Sequence, residues 1–126
     1  MIYGTGVDIV EIDRIKQVMD KHAGRFEEKI FSANEISYSR SKADPARHFA
    51  GRFAAKEAVL KALGTGFDGH ISWKEMEVLN HEKTGRPYLR LSGKGKIFFD
   101  KLKLKNIHIS ISHEKLYAIA HAIAEK

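Results

Sequence analysis

A glutamate, Glu57, occupies a position in the sequence where an apolar residue is expected. Phe49 and Phe53 precede it at intervals of four residues, which places all three on one face of a predicted helix. An unpaired carboxylate in an apolar environment is costly, so it needs a cation, hydrogen-bond donors or a raised pKa. An ion pair with Lys56, with Lys61 or with a distant arginine is the alternative to a functional role.

Asp8 raises the same question near the start of the chain. Its neighbours Val7 and Ile9 are β-branched, which is typical of a strand in the core. The alternative is that Asp8 caps a helix that begins near Glu11, because aspartate is a common N-cap residue. Two converging carboxylates repel each other unless a divalent cation lies between them, so Mg²⁺ held by Asp8 and Glu57 would account for both acids.

A third segment, residues 107–113, alternates isoleucine with His108, Ser110 and Ser112. The alternation predicts a half-buried strand with one polar face, and an ordinary sheet edge in contact with water is the simplest interpretation. His113 ends this strand. It could bind a phosphate or act as a general base, because the pKa of histidine is close to neutral.

The elements that would position these residues follow from hydrophobic period and from turn residues. Ser32 with Glu35 forms a capping-box pattern, and Gly64 stands where a long helix should end. The predicted elements, in chain order, are a strand at 2–12, a helix from 11 to about 21, a helix at 25–31, a helix that begins at 32, a loop at 37–45, a long helix from 45 to 63, strands at 73–80 and 87–91, a basic helix at 93–103, and strands at 107–113 and 116–124.

The chain has 126 residues, which predicts one domain spanning residues 1–126. It contains no cysteine, so a metal here needs oxygen or imidazole ligands. It shows no signal peptide and no apolar stretch near the ~20 residues that span a bilayer, which predicts a soluble, cytoplasmic protein. A formal charge of +6 favours polyanionic partners such as nucleic acid, nucleotide phosphates or an acidic protein.

Three separated motifs together resemble the holo-acyl-carrier-protein synthase family. They are Gly4-Thr5-Gly6-Val7-Asp8-Ile9, Phe53-Ala54-Ala55-Lys56-Glu57-Ala58 with Lys61 and Gly64-Thr65-Gly66, and Ser110-Ile111-Ser112-His113. The motifs follow the family's order and spacing over nearly the whole chain, and three matches are far more specific than one. The resemblance implies an α+β fold, the 4'-phosphopantetheinyl transferase fold, in which helices pack on a small antiparallel sheet and one long helix is central.

The activity that the resemblance implies is transfer of the 4'-phosphopantetheine moiety of coenzyme A to a serine of apo acyl carrier protein. The products are holo carrier and adenosine 3',5'-bisphosphate, in support of fatty acid biosynthesis. Asp8 and Glu57 are implied to hold Mg²⁺, which also binds the coenzyme pyrophosphate. The implied coenzyme-binding residues are Arg52, Lys61, Gly64 and His113, with Lys42 and Arg47 near the phosphates.

In this reaction the serine hydroxyl attacks the β-phosphate of coenzyme A. Lys61 lies one helical turn after Glu57, so both side chains can act on the same developing charge. The implied catalytic residues are Glu57, Lys61 and His113. The general base stays open between Glu57, His113 and a metal-bound water, because positioning and electrostatics dominate phosphoryl transfer.

The resemblance also implies that the first helix receives the acidic carrier protein. The matching positions are Arg14, Met19, Lys21, Arg25 and Phe26. A basic helix facing an acidic one speeds encounter and sets register, whereas a solvated helix face is the alternative for Lys21. Short members of the family are implied to form homotrimers whose active sites lie between subunits.

Two other functions compete with this interpretation. A basic nucleic-acid-binding domain would use the net charge and the basic stretch at residues 94–105. A transferase that serves carrier domains of natural-product synthases would share the chemistry and differ in its partner.

Overall fold

The computed structural model describes residues 1–66 and 71–126. Within these ranges, one strand is followed by four consecutive helices, and two strand pairs with a short helix between them complete the chain. Their bounds are β1 Ile2–Glu11, α1 Ile12–His22, α2 Arg25–Ile30, α3 Ala33–Arg40, α4 Pro45–Leu63, β2 Met76–Asn80, β3 Pro87–Leu91, α5 Gly93–Lys101, β4 Asn106–His113 and β5 Tyr117–Glu125.

The centre of the fold is α4, which is buried around most of its circumference. Pro45 stands in its first turn, where the missing N–H of proline costs no helical hydrogen bond. Gly64 ends the helix with φ 74°, a left-handed conformation that glycine adopts without a Cβ penalty. The predicted long helix and its glycine cap are confirmed.

The larger sheet packs on α4 and has the strand order β1-β5-β4, with both pairings antiparallel. Its central strand turns four alanines, at positions 118, 120, 122 and 124, toward the helix, and all four are buried. These small side chains let the sheet approach α4 closely. β2 and β3 form a separate antiparallel hairpin, as predicted. The expected α+β class, with helices on a small antiparallel sheet, is confirmed.

Two boundaries differ from the sequence prediction by more than two residues. α3 runs on to Arg40, so the expected loop begins only after that residue. Ser39 is fully buried there, and burial of this polar segment against the core favours helix over loop. The predicted strand at 73–80 begins instead with a 3₁₀ turn, Trp73–Glu75, held by a capping box between Ser72 and Glu75. None of the helices in the described ranges has both the length and the apolar character required to cross a bilayer.

Candidate active site

The two acids of the sequence analysis meet where β1 crosses α4. Gly4 and Gly6 permit this crossing: a Cβ on Gly6 would lie 1.9 Å from the carbonyl oxygen of Ala58, and one on Gly4 would lie 2.2 Å from that of Ala62. Residues two apart share a strand face, so the same face that carries the glycines turns Asp8 toward the helix. The spacing Gly-x-Gly-x-Asp therefore positions the carboxylate.

Lys61 joins the acids. Its Nζ lies 3.2 Å from Oδ1 of Asp8 and donates a hydrogen bond to the carbonyl of Val7 at 2.9 Å. Burial raises the pKa of the Glu57 carboxyl, the negative charge of Asp8 raises it further, and Lys61 lowers it. Asp8, Glu57 and Lys61 therefore act on one another within a single site, which we call the acid site.

Three details of the sequence interpretation need correction. Val7 and Ile9 are not core residues: their side chains are 52% and 61% exposed, because they lie on the sheet face turned away from α4. The N-cap of α1 is Glu11, so Asp8 does not cap this helix. Glu57 is half-buried, at the margin of the apolar stripe and not within it.

The most deeply buried charge of α4 is Lys56, the neighbour of Glu57. Its side chain is fully buried, and its Nζ lies 2.7 Å from Oε1 of the equally buried Glu35. The sequence prediction considered Lys56 as a partner of Glu57 and interpreted Glu35 only as part of a capping box. The capping box exists, with the Ser32 N–H donating to Glu35, but Glu35 also accepts a hydrogen bond from the backbone N–H of Val78.

The donor set of the acid site suits magnesium. Mg²⁺ is commonly held by one or two protein carboxylates and keeps waters or substrate phosphate oxygens in its other positions. Within the described ranges no group of three or more acidic, histidine or cysteine side chains converges as a metal cage would require. Two carboxylates beside a lysine fit a metal that shares its coordination with a substrate.

Apart from the acid site, Arg52 and His113 line a polar cavity of about 180 Å³. Arg52 is buried and donates a hydrogen bond to Oδ1 of Asn80, and its guanidinium lies 3.9 Å from the ring centre of Tyr38. Its Nε has no hydrogen-bond partner among the described residues. We call this cavity the arginine pocket. A buried guanidinium with an unused donor is a suitable contact for an anionic ligand.

His48 and Tyr38 also line the arginine pocket, and the sequence analysis did not identify either. The sequence contains a signal for His48. His48 and Arg52 are four residues apart, which places them on one face of α4. Tyr38 lay in the segment predicted to be a loop, so its approach to this pocket could not be anticipated.

The arginine pocket and the acid site lie on different sides of α4. Successive residues turn by about 100°, so Arg52 and Glu57 diverge by about 140°, and Arg52 and Lys61 by about 180°. The chain thus presents two half-sites on one helix. Gly64, at the C-terminal end of α4, follows the half-site that contains Lys61.

An apolar cavity of about 420 Å³ lies beside the acid site. Arg14 and Phe26 line it together with Phe53, one turn before Glu57. Of the other residues expected to receive a partner, Met19 packs against the core, whereas Lys21 and Arg25 are exposed. The lining of this apolar cavity includes one basic side chain, Arg14, and one acidic side chain, Glu11.

Comparisons with known proteins identify the family of the chain. The model of the 4'-phosphopantetheinyl transferase superfamily matches residues 4–122. A holo-acyl-carrier-protein synthase of Halothermothrix orenii is 46% identical over 126 residues, which cover 100% of this chain and 99% of that protein.

Solved structures agree as well. The structure of holo-acyl-carrier-protein synthase from Neisseria meningitidis has a TM-score of 0.93 at 31% identity, with 100% of both chains covered. The Helicobacter pylori synthase in complex with coenzyme A has a TM-score of 0.85 at 31% identity, with 96% of this chain and 99% of that chain covered. The chain therefore belongs to the holo-acyl-carrier-protein synthase family of the 4'-phosphopantetheinyl transferase superfamily.

Proposed function

We propose that this protein transfers the 4'-phosphopantetheine moiety of coenzyme A to a serine of apo acyl carrier protein and releases adenosine 3',5'-bisphosphate. The observation that carries the proposal is the meeting of Asp8, Glu57 and Lys61 where β1 crosses α4. Two acids and a lysine at one point suit the chemistry of a diphosphate with its counter-ion. The comparisons do not favour the nucleic-acid-binding alternative.

Asp8 and Glu57 would hold Mg²⁺. When bound, the ion would neutralise charge that builds on the coenzyme pyrophosphate during transfer. The raised pKa of Glu57 agrees with such a role, because a carboxylate pushed toward its neutral form by burial and by Asp8 is stabilised by a nearby cation. The two carboxylates would therefore attract the cation that binds together with the substrate.

Lys61 would contact the diphosphate directly. Its side chain is half-exposed and lies on the same helical face as Glu57, one turn further on. Its hydrogen bond to the Val7 carbonyl fixes the position of the ammonium group beside Asp8. The lysine can thus stabilise negative charge on a phosphoryl oxygen without a large movement of its side chain.

The serine hydroxyl must lose a proton as the new P–O bond forms. This chain offers two side chains that could accept it: Glu57 in the acid site and His113 in the arginine pocket. The raised pKa of the Glu57 carboxyl makes it a better base than an ordinary surface glutamate. Transfer can also proceed with late loss of the proton, so either group would act after the phosphate is in place.

The arginine pocket would bind the adenosine end of coenzyme A. Arg52 and His113 supply donors for phosphate oxygens, and Tyr38 supplies an aromatic surface. Coenzyme A is an extended molecule, so its adenosine 3'-phosphate and its pyrophosphate can occupy different half-sites. Gly64 would let the ligand approach the end of α4, because glycine has no side chain there.

We propose a homotrimer in which the acid site of one subunit faces the arginine pocket of its neighbour. The divergence of the two half-sites around α4 supports this arrangement, because one chain cannot turn both toward a single coenzyme. The outer face of the β1-β5-β4 sheet supports it as well. Ile9 pairs with Ile119 across the strands there, and both side chains are exposed. An apolar sheet face of this kind is suited to burial against another copy.

The acyl carrier protein would dock on α1 and the start of α2. Arg14, Lys21 and Arg25 would face its acidic surface, while Met19 and Phe26 would supply apolar contacts beside the 420 Å³ cavity. Docking at this end would bring the carrier serine to the acid site. Two residues of the cavity lining show this: Ile9 is the neighbour of Asp8 in the chain, and Phe53 lies one helical turn before Glu57. We also propose that the protein acts in the cytoplasm, together with these partners.

The direct test is an incubation of the protein with coenzyme A, Mg²⁺ and an apo acyl carrier protein, followed by mass spectrometry of the carrier. We expect the mass of one phosphopantetheine to be added, with no addition when a chelator removes Mg²⁺. Carrier domains from natural-product synthases, tested in parallel, would distinguish that alternative partner class. The proposal is wrong if neither type of carrier gains mass in the presence of the metal.

A further inference from the structure

His48 lies between two other aromatic side chains in the arginine pocket. Its ring centre is 5.2 Å from that of His113, at an interplanar angle of 72°, and 5.9 Å from that of Tyr38, at 77°. The three rings come from α4, β4 and α3. Three elements thus place an imidazole at the wall of a polar cavity, and the proposed mechanism gives it no role.

The charged groups that lower the pKa of His48 are all basic. The charges that act on it come from His113 on β4, from Arg52 and Arg47 on α4, and from Lys42 in the segment before α4. Tyr38, on α3, is the remaining titratable group against its ring. Burial lowers the pKa of His48, and the four basic groups lower it further. In the free protein burial and the basic neighbours therefore both favour the neutral imidazole.

A phosphate group in this cavity would reverse that balance. It would bring up to two negative charges to the side of a neutral imidazole that already has cations around it. An anion at hydrogen-bond distance favours the protonated form of histidine, and a protonated imidazole in turn donates to the anion. Binding of the anion and binding of a proton to His48 would each strengthen the other.

We propose that His48 is a coenzyme-binding residue whose imidazole takes up one proton from solvent when a phosphate group of coenzyme A enters the arginine pocket. This inference rests on the proposed function. It predicts that the affinity for coenzyme A rises as the pH falls below neutral. A single linked proton changes the dissociation constant by at most about tenfold per pH unit.

The alternative is that His48 acts only by packing against His113 and Tyr38. Two variants separate the roles. His48→Phe keeps an aromatic ring between the neighbours and cannot bind a proton, whereas His48→Gln keeps a polar side chain and loses the ring. His81→Gln is the matched control, because His81 stacks on Tyr88 and does not line the arginine pocket. Circular dichroism and gel filtration would establish that each variant keeps the native fold and assembly.

The measurement is calorimetric titration of the full-length protein with coenzyme A and Mg²⁺ from about pH 5.5 to 8, where histidine titrates. Two buffers of different ionisation enthalpy give the number of protons taken up. The phosphates of coenzyme A also titrate in this range, but they do so equally for every variant, so the difference from wild type reports on His48.

We expect the wild type and His81→Gln to take up more protons at acidic pH than either His48 variant. Their dissociation constants should fall more steeply with decreasing pH, by about three- to tenfold over the range. Equal proton uptake and equal pH dependence in wild type and His48→Phe would overturn the inference. A loss of affinity that is the same at every pH in both variants would also overturn it, since packing alone would explain it. Absence of coenzyme A binding by the wild type would count against the proposed function instead.

Discussion

Substitution of Glu57 should change both the activity of the protein and its stability. Glu57→Gln keeps the size of the side chain and removes the charge that would hold Mg²⁺. We expect the rate of phosphopantetheine transfer to fall by about 100-fold or more, the magnitude typical for loss of a group that stabilises transition-state charge. Mass spectrometry of the carrier over a time course measures this rate. Activity within a few-fold of wild type would contradict the assigned role.

The same substitution should not weaken the fold at neutral pH. Because the folded state raises the pKa of Glu57, the charged carboxylate is disfavoured in the fold above the ordinary glutamate pKa. The free energy of unfolding of the metal-free protein should therefore be equal or greater in Glu57→Gln at pH 7. The difference should shrink as the pH falls toward the ordinary pKa of glutamate. Urea denaturation at several pH values, with a chelator present, checks this sign.

Substitution of Lys56, in contrast, should lower the free energy of unfolding. Its ammonium group donates to Glu35 and to the carbonyl of Ile30 at 2.8 Å in the interior, and to the carbonyl of Trp73 at 3.1 Å at a partly buried position. Lys56→Met leaves the Glu35 carboxylate buried without a cation, which should cost about 3–5 kcal/mol of unfolding free energy. In Lys56→Met with Glu35→Gln no charge remains, so the combined loss should be smaller than the sum of the two single losses. A double-mutant cycle in urea measures this coupling, and strict additivity would refute it.

At the scale of elements, the crossing of β1 over α4 is what brings Asp8 to the acid site. Gly6→Ala would place a methyl group 1.9 Å from a backbone oxygen that cannot move without distorting the helix. We expect a loss of more than about 3 kcal/mol in unfolding free energy, at the upper end of overpacking effects. Gly66→Ala is the control, since a Cβ there meets nothing within 4 Å. Thermal denaturation of both variants tests the crossing, and equal stability would show that the strand can shift freely.

Elements that depend on local patterns were predictable from the sequence. The capping box at Ser32, the glycine cap at Gly64 and the alternation in β4 each specify the local backbone without knowledge of the rest of the fold. The burial of particular residues was harder to predict from the sequence. Val7 and Ile9 have the residue types of a core strand, but they lie on a sheet face that α4 does not cover.

Long-range contacts account for the rest of what the sequence did not reveal. The pairing of Lys56 with Glu35 depends on how α3 packs against α4, and these residues are 21 positions apart. Periodicity places each side chain on a face of its own helix but does not state which faces meet. The place of Tyr38 in the arginine pocket was missed for the same reason, because the packing of α3 against α4 is not encoded locally, whereas Arg52 and His113 were named from the family resemblance.

At the scale of the whole molecule, the two half-sites on α4 point away from each other. If a site needs the acids of one subunit and Arg52 of the next, two inactive variants should restore each other. Glu57→Gln and Arg52→Gln, each inactive alone, would be co-expressed so that mixed trimers assemble. A site is intact when its acid half comes from one variant and its arginine half from the other, so random mixing should restore about a quarter of wild-type activity. Activity is measured on the carrier protein, and native mass spectrometry establishes the mixed composition. If every chain held a complete site, mixed trimers would be no more active than the separate variants, and the shared-site proposal would fail.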